Sequence, residues 1–172
     1  MTDQPGHSVL VVPVPELEAF VRQRWEHYDP AWVSTDTAFT HAHITVLAPF
    51  LPHTSRTDLD RLGEIAAGML PIDFRLDEVH VFPDGVIHLR PEPCGPFEAL
   101  TRLAWESFPA CPPYGGRYDV VTPHLTLDLA AGPVTVASTR TLLGDAVPVR
   151  CRAERLELHW YAAGGCRVQH SW

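Results

Sequence analysis

There is no lysine in this sequence; all 13 basic residues are arginine. That removes whole chemistries, because a P-loop needs its lysine on the phosphates, and Schiff-base or adenylated-lysine catalysis needs a titratable amine. Cysteine is scarce: Cys94, Cys111, Cys151 and Cys166 are separated by 17, 40 and 15 positions. With no C-x-x-C pair, neither a zinc ribbon nor a thioredoxin-type dithiol is legible, and four idle thiols suit a reducing compartment. No apolar run approaches the roughly 18 residues of a membrane span, and Val9-Leu10-Val11-Val12 stops at Pro13. Met1-Thr2-Asp3-Gln4 lacks the cationic flank of a secretion signal, so a cytoplasmic location is expected. Positive charge is also in deficit. The 21 acidic residues leave a formal net charge of -8, which argues against a broad grip on duplex DNA or long RNA but not against a local cluster of donors for a small phosphorylated ligand.

What is present is enough for one core. The chain has 172 residues, 45% of them hydrophobic, and is read as a single domain over residues 1–172, with room for two lobes. Apolar, β-branched residues predict strands at 8–14 and 41–47, and apolar steps of three and four predict helices at 16–27 and 57–70. A hairpin follows at 74–81 and 86–89, turned by Pro83-Asp84-Gly85. A helix at 96–108 leads into a loop at 109–116, too rich in proline and glycine for a regular element. A strand within 118–129, a helix at 134–143 and strands at 147–151, 156–161 and 166–172 complete the order. Helices mixed with hairpin-length connections favour α+β with mainly antiparallel sheets over a doubly wound parallel sheet.

Two strands carry the same tetrapeptide pattern, His43-Ile44-Thr45-Val46 and His124-Leu125-Thr126-Leu127, 81 residues apart. Alternation along a strand turns His and Thr of each motif to one face and sends the aliphatic residues into the core. A random chain of this composition would hold two such motifs only about 1% of the time. An internal duplication with two facing lobes would place them near half a chain apart. Two imidazoles and two hydroxyls suit a phosphodiester. One imidazole deprotonates water and the other protonates the departing oxygen, while the hydroxyls donate to the non-bridging oxygens. Unperturbed imidazoles would centre such a reaction around neutrality.

At these residues the sequence resembles the 2H phosphoesterase superfamily, which has two H-x-T/S-x motifs, one per lobe of a pseudo-symmetric bilobal α+β fold. It is most similar to the 2′-5′ RNA ligase-like branch and its cyclic phosphodiesterase relatives. The likeness extends to Arg90-Pro91-Glu92-Pro93, Pro96-Phe97 and Tyr114-Gly115-Gly116. It implies metal-independent hydrolysis of a small cyclic nucleotide phosphate or a 2′-5′ linkage, with no cofactor, by His43 and His124 as acid and base, with Thr45 and Thr126 on the phosphate. A catalytically silent module binding nucleotides or RNA ends, or a 2′-5′ RNA ligase, is the alternative. Ligase-like members commonly carry a basic residue soon after the second motif, whereas Asp128-Leu129 stand here. That favours a small nucleotide or short RNA end as substrate, bound by a monomer.

Around the motifs, Arg117 is a candidate for the missing cation, and Tyr114 for covering a ribose or stacking a base. Phe50, just past the first motif, is its counterpart in the other lobe or, equally, a core residue. His41 is expected at the mouth or behind His43 rather than on a metal, since the usual H-x-H hydrolase pattern continues with an aspartate. His80, His88, His159 and His170 lack partners at recognisable spacing and read as structural. No G-x-S-x-G elbow exists.

Overall fold

The computed structural model describes residues 6–172, so the amino-terminal tetrapeptide read for a secretion signal lies outside the described residues. β1 (His7–Pro13) leads through a one-turn 3-10 segment at Pro15–Leu17 into α1 (Glu18–Tyr28), and β2 (His43–Leu47) and α2 (Arg56–Met69) follow. Next come β3 (Ile72–Val81), β4 (Val86–Glu92), α3 (Gly95–Ser107), β5 (Leu125–Leu129) and α4 (Val136–Leu143). β6 (Val149–Ala153), β7 (Glu157–Tyr161) and β8 (Arg167–Ser171) close the chain. Local chemistry sets the helix starts. Ser55 accepts from the Asp58 amide while the Asp58 carboxylate accepts from the Ser55 amide, and Thr135 and Ser138 repeat this capping box at α4.

All eight strands join one antiparallel sheet in the order β6-β3-β4-β5-β2-β1-β7-β8. The fold is therefore α+β, as expected from the mixture of helices and hairpins. The two motif strands, β5 and β2, meet in the middle, each the innermost strand of a four-stranded half. They touch at one registered pair, Ile44 opposite Leu125. Beneath them the apolar residues of the motifs enter the core, where Ile44, Val46, Leu125 and Leu127 are buried with Leu10, Val12, Leu62, Phe97 and Leu100. α2 packs on α3, and α3 packs against β2. No helix among the described residues is long and apolar enough to cross a membrane.

β2 begins two residues later than the sequence pattern predicts, at His43 itself. The cause is Glu18 of α1. Its carboxylate takes the His41 Nδ1–H at 2.6 Å and the Ala42 amide at 2.9 Å, holding residues that would otherwise extend the strand. β5 likewise starts at Leu125, so His124 also stands at a strand entrance.

Candidate active site

The register at the centre of the sheet decides the geometry. With Ile44 opposite Leu125 in an antiparallel pair, His43 faces Thr126 and Thr45 faces His124 on the same side of the sheet. Directly opposed Cβ atoms in such a pair lie about 5 Å apart. By this register the four side chains share the face of the sheet turned away from the core. His43, Thr45 and His124 are half-buried and Thr126 is exposed.

The two imidazoles are held alike. His43 Nδ1 lies 2.7 Å from the His41 carbonyl and His124 Nδ1 lies 2.8 Å from the Thr122 carbonyl. A carbonyl only accepts, so both Nδ1 atoms carry the proton and both Nε2 atoms hold the free lone pair. Burial pushes His43 down to about 4, with the nearby His159 adding to the effect, and burial also lowers His124. Buried apolar surroundings disfavour the imidazolium in the free protein.

Behind His43 sits a polar cluster that the sequence did not reveal. Tyr161 Oη lies 3.4 Å from His43 Nδ1, and burial raises its phenol. His159, fully buried, pairs with Glu157 at 2.8 Å and lies against Phe39, the rings tilted by 33° with centroids 4.3 Å apart. Beside His124, Phe82 lies flat on His88 with centroids 3.7 Å apart and presents its edge to His124.

Two hollows of about 440 Å³ each flank the four side chains. The one beside His43 and Thr45 is lined by Trp25, Tyr28, Trp32 and Tyr161. The other, beside His124 and Thr126, is lined by Tyr114, Tyr118, Val86 and Val120. Tyr114 lines the second hollow with its ring nearly parallel to His124, centroids 6.2 Å apart. Its backbone adopts the left-handed conformation, φ 52°, rare for a residue with a side chain. Burial pushes its phenol up to about 12. It therefore remains a neutral donor.

Three candidate residues line neither hollow. Phe50 is buried in the core, edge-on to Phe108 at 5.0 Å, because the chain turns inward after β2. It presents no ring to the hollows. His41 is 1% exposed, and neither ring nitrogen is free: Nδ1 donates to Glu18 and Nε2 accepts the Ser34 amide. Of its two expected places, the mouth or behind His43, it takes the second, where its carbonyl orients the His43 ring. Arg117 is exposed at the end of the 3-10 turn Pro113–Gly116 and lines neither hollow. Among the described residues no three His, Cys, Asp or Glu side chains converge as metal ligands.

The α+β fold and the two histidine motifs on adjacent strands are those that the resemblance to the 2H phosphoesterases implies. The chain belongs to the 2′-5′ RNA ligase superfamily, whose family model matches residues 13–165. Among solved structures it is similar to Escherichia coli LigT complexed with 3′-AMP, with 18% identity, 98% of each chain covered and a TM-score of 0.56. LigT complexed with NADP+ matches with 17% identity over 98% of this chain and 97% of the other, TM-score 0.53. TT0787 of Thermus thermophilus matches with 17% identity, 96% of each chain and a TM-score of 0.56. A comparison with curated proteins finds no match.

Proposed function

We propose that the protein hydrolyses a small phosphodiester, a cyclic nucleotide phosphate or a 2′-5′ linkage, by acid-base catalysis between His43 and His124. The observation that carries this reading is the register that opposes each histidine to the other motif's threonine, with both Nδ1–H groups spent on backbone carbonyls and both Nε2 atoms free. A phosphate between them meets a base on one side and an acid on the other. One neutral Nε2 takes a proton from water as its oxygen bonds to phosphorus. The other, protonated, gives its proton to the ribose oxygen as the P–O bond breaks. Thr45 and Thr126 donate to the non-bridging oxygens, where charge accumulates. Tyr114, lining the hollow beside His124, covers the nucleoside. Both motifs come from one chain, so a monomer holds a complete site. The 3′-AMP found with LigT is a nucleoside monophosphate, a ligand of the size that one of these hollows accommodates.

The test is a screen of nucleoside 2′,3′-cyclic phosphates and 2′-5′ oligoadenylate with product detection. Hydrolysis of at least one is expected, and inertness toward all of them would defeat the reading. Turnover is expected to survive EDTA, because this chemistry asks nothing of a metal. Activity lost to chelator and restored by zinc or manganese would contradict the mechanism.

The pH profile carries a sharper expectation. kcat/KM reports the free enzyme's acid and base, and these titrate as a coupled pair. Since burial lowers both imidazoles, His43 to about 4, the bell falls on the acid side of 6.5 rather than around neutrality as unperturbed imidazoles would place it. A bell centred at 7 or above would show that these two groups do not govern the rate.

A further inference from the structure

We propose that Arg90 on β4 is the phosphate-binding cation of this site, standing in for the basic residue that β5 does not carry. The inference rests on the phosphodiesterase reading for the identity of the bound group, and on geometry for the identity of the residue. In the β4–β5 pairing, His88 lies opposite Thr126 and Leu89 opposite Leu125. One further step puts Arg90 opposite His124. Leu89 points into the core, so Arg90 and His88 share the face that carries the two motifs. Neighbouring strands are only about 4.8 Å apart, a gap that an arginine side chain spans easily. The Arg90 charge is close enough to His124 to act on it.

The arm is also aimed. Buried His88 gives its Nδ1–H to the Val86 carbonyl at 3.1 Å, which leaves Nε2 as an acceptor, and Arg90 Nε donates to it at 3.3 Å. Phe82, stacked flat on His88, lies 5.9 Å under the guanidinium. An imidazole that donates from one nitrogen and accepts at the other is neutral, and burial keeps His88 so, with its titration pushed down to about 4. Among the described residues no carboxylate lies within ion-pair distance of Arg90. Only Nε is engaged, so the two terminal nitrogens remain for a bidentate grip on two oxygens of one anion, which lysine does not reproduce. A fully buried histidine facing Thr126 thereby acquires a purpose: it steers the neighbouring arginine toward the anion.

Calorimetric titration with inorganic phosphate, alongside kcat/KM on a nucleoside 2′,3′-cyclic phosphate, tests this on the intact protein. Arg90→Gln is expected to weaken phosphate binding by about tenfold or more, the usual worth of hydrogen bonds to a charged group. It should also flatten the dependence of that binding on ionic strength, which a merely structural residue would not do. Arg90→Lys should recover part of the affinity, and Arg102→Gln, on the exposed face of α3, none of the loss. Phosphate bound by a folded Arg90→Gln within twofold of wild type overturns the proposal. So does a wild-type protein that binds no phosphate, or an Arg117→Gln that loses affinity while Arg90→Gln keeps it. If no diester is hydrolysed but Arg90→Gln still loses phosphate, the cation assignment stands and the hydrolase reading falls. If diesters are hydrolysed and Arg90→Gln is silent in both assays, the reverse holds.

Discussion

Replacing either His43 or His124 by alanine is expected to lower kcat/KM by about 10²–10⁴-fold, the usual worth of one general acid or base. The fold should be untouched, since both rings stand at strand entrances and neither belongs to the packed core. The double variant should be little worse than the poorer single one, because an acid without its base has lost its partner in the same transition state. Thr45→Ala and Thr126→Ala should cost less, on the order of 10²-fold, as for loss of one donor to a developing oxyanion. Steady-state rates measured with circular dichroism on the same samples decide the matter. A folded His43→Ala or His124→Ala that turns over at the wild-type rate refutes the mechanism.

The second large effect concerns stability. Asp128, buried on β5, accepts from the Tyr28 hydroxyl and lies 2.8 Å from Arg24 Nε, so α1 of one half is tied to the motif strand of the other. The Arg24 side chain is only 12% exposed and that of Asp128 is 0% exposed. Asp128→Ala leaves the guanidinium buried without its counter-charge, a loss of about 3–5 kcal/mol, lowering Tm on the order of 10 °C for a chain of this size. Removing both charges, as in Arg24→Met with Asp128→Leu, should restore most of that. Denaturant unfolding of the three proteins makes the comparison. An Asp128→Ala protein within about 1 kcal/mol of wild type would show that the pair ties nothing together.

The motif faces could be read from the sequence because the rule involved is local: in a strand, residue i and residue i+2 share a side. The helices were legible for the same reason, from apolar steps along α1, α2 and α3 and from proline at their ends. What one strand sets against the next depends on register, which no single segment encodes. Hence His88 read as structural and Arg90 only as part of the family-like segment Arg90-Pro91-Glu92-Pro93, although the pairing puts them directly beyond Thr126 and His124. Glu18 escaped in the same way, being 23 residues from the His41 ring it holds. Phe50 stood open between the cleft and the core, and the structure puts it in the core. Proximity in sequence to His43 suggested the cleft, yet an aromatic ring next to Phe108 gains more by leaving water. The hints available were compositional: ten histidines in an acidic chain without lysine are more than a core requires.

The seam between β2 and β5 has one further consequence. Most neighbouring strands of the sheet are laced by a full ladder, whereas these two share a single registered pair, and the halves are otherwise joined by α1 and α3 packed across them. An anion gripped from both sides of that seam is then a stitch. Its binding free energy enters the cohesion of the whole molecule by mass action, since a separated half keeps only its own share of the contacts. Ligand occupancy and the mechanical integrity of the sheet become one quantity.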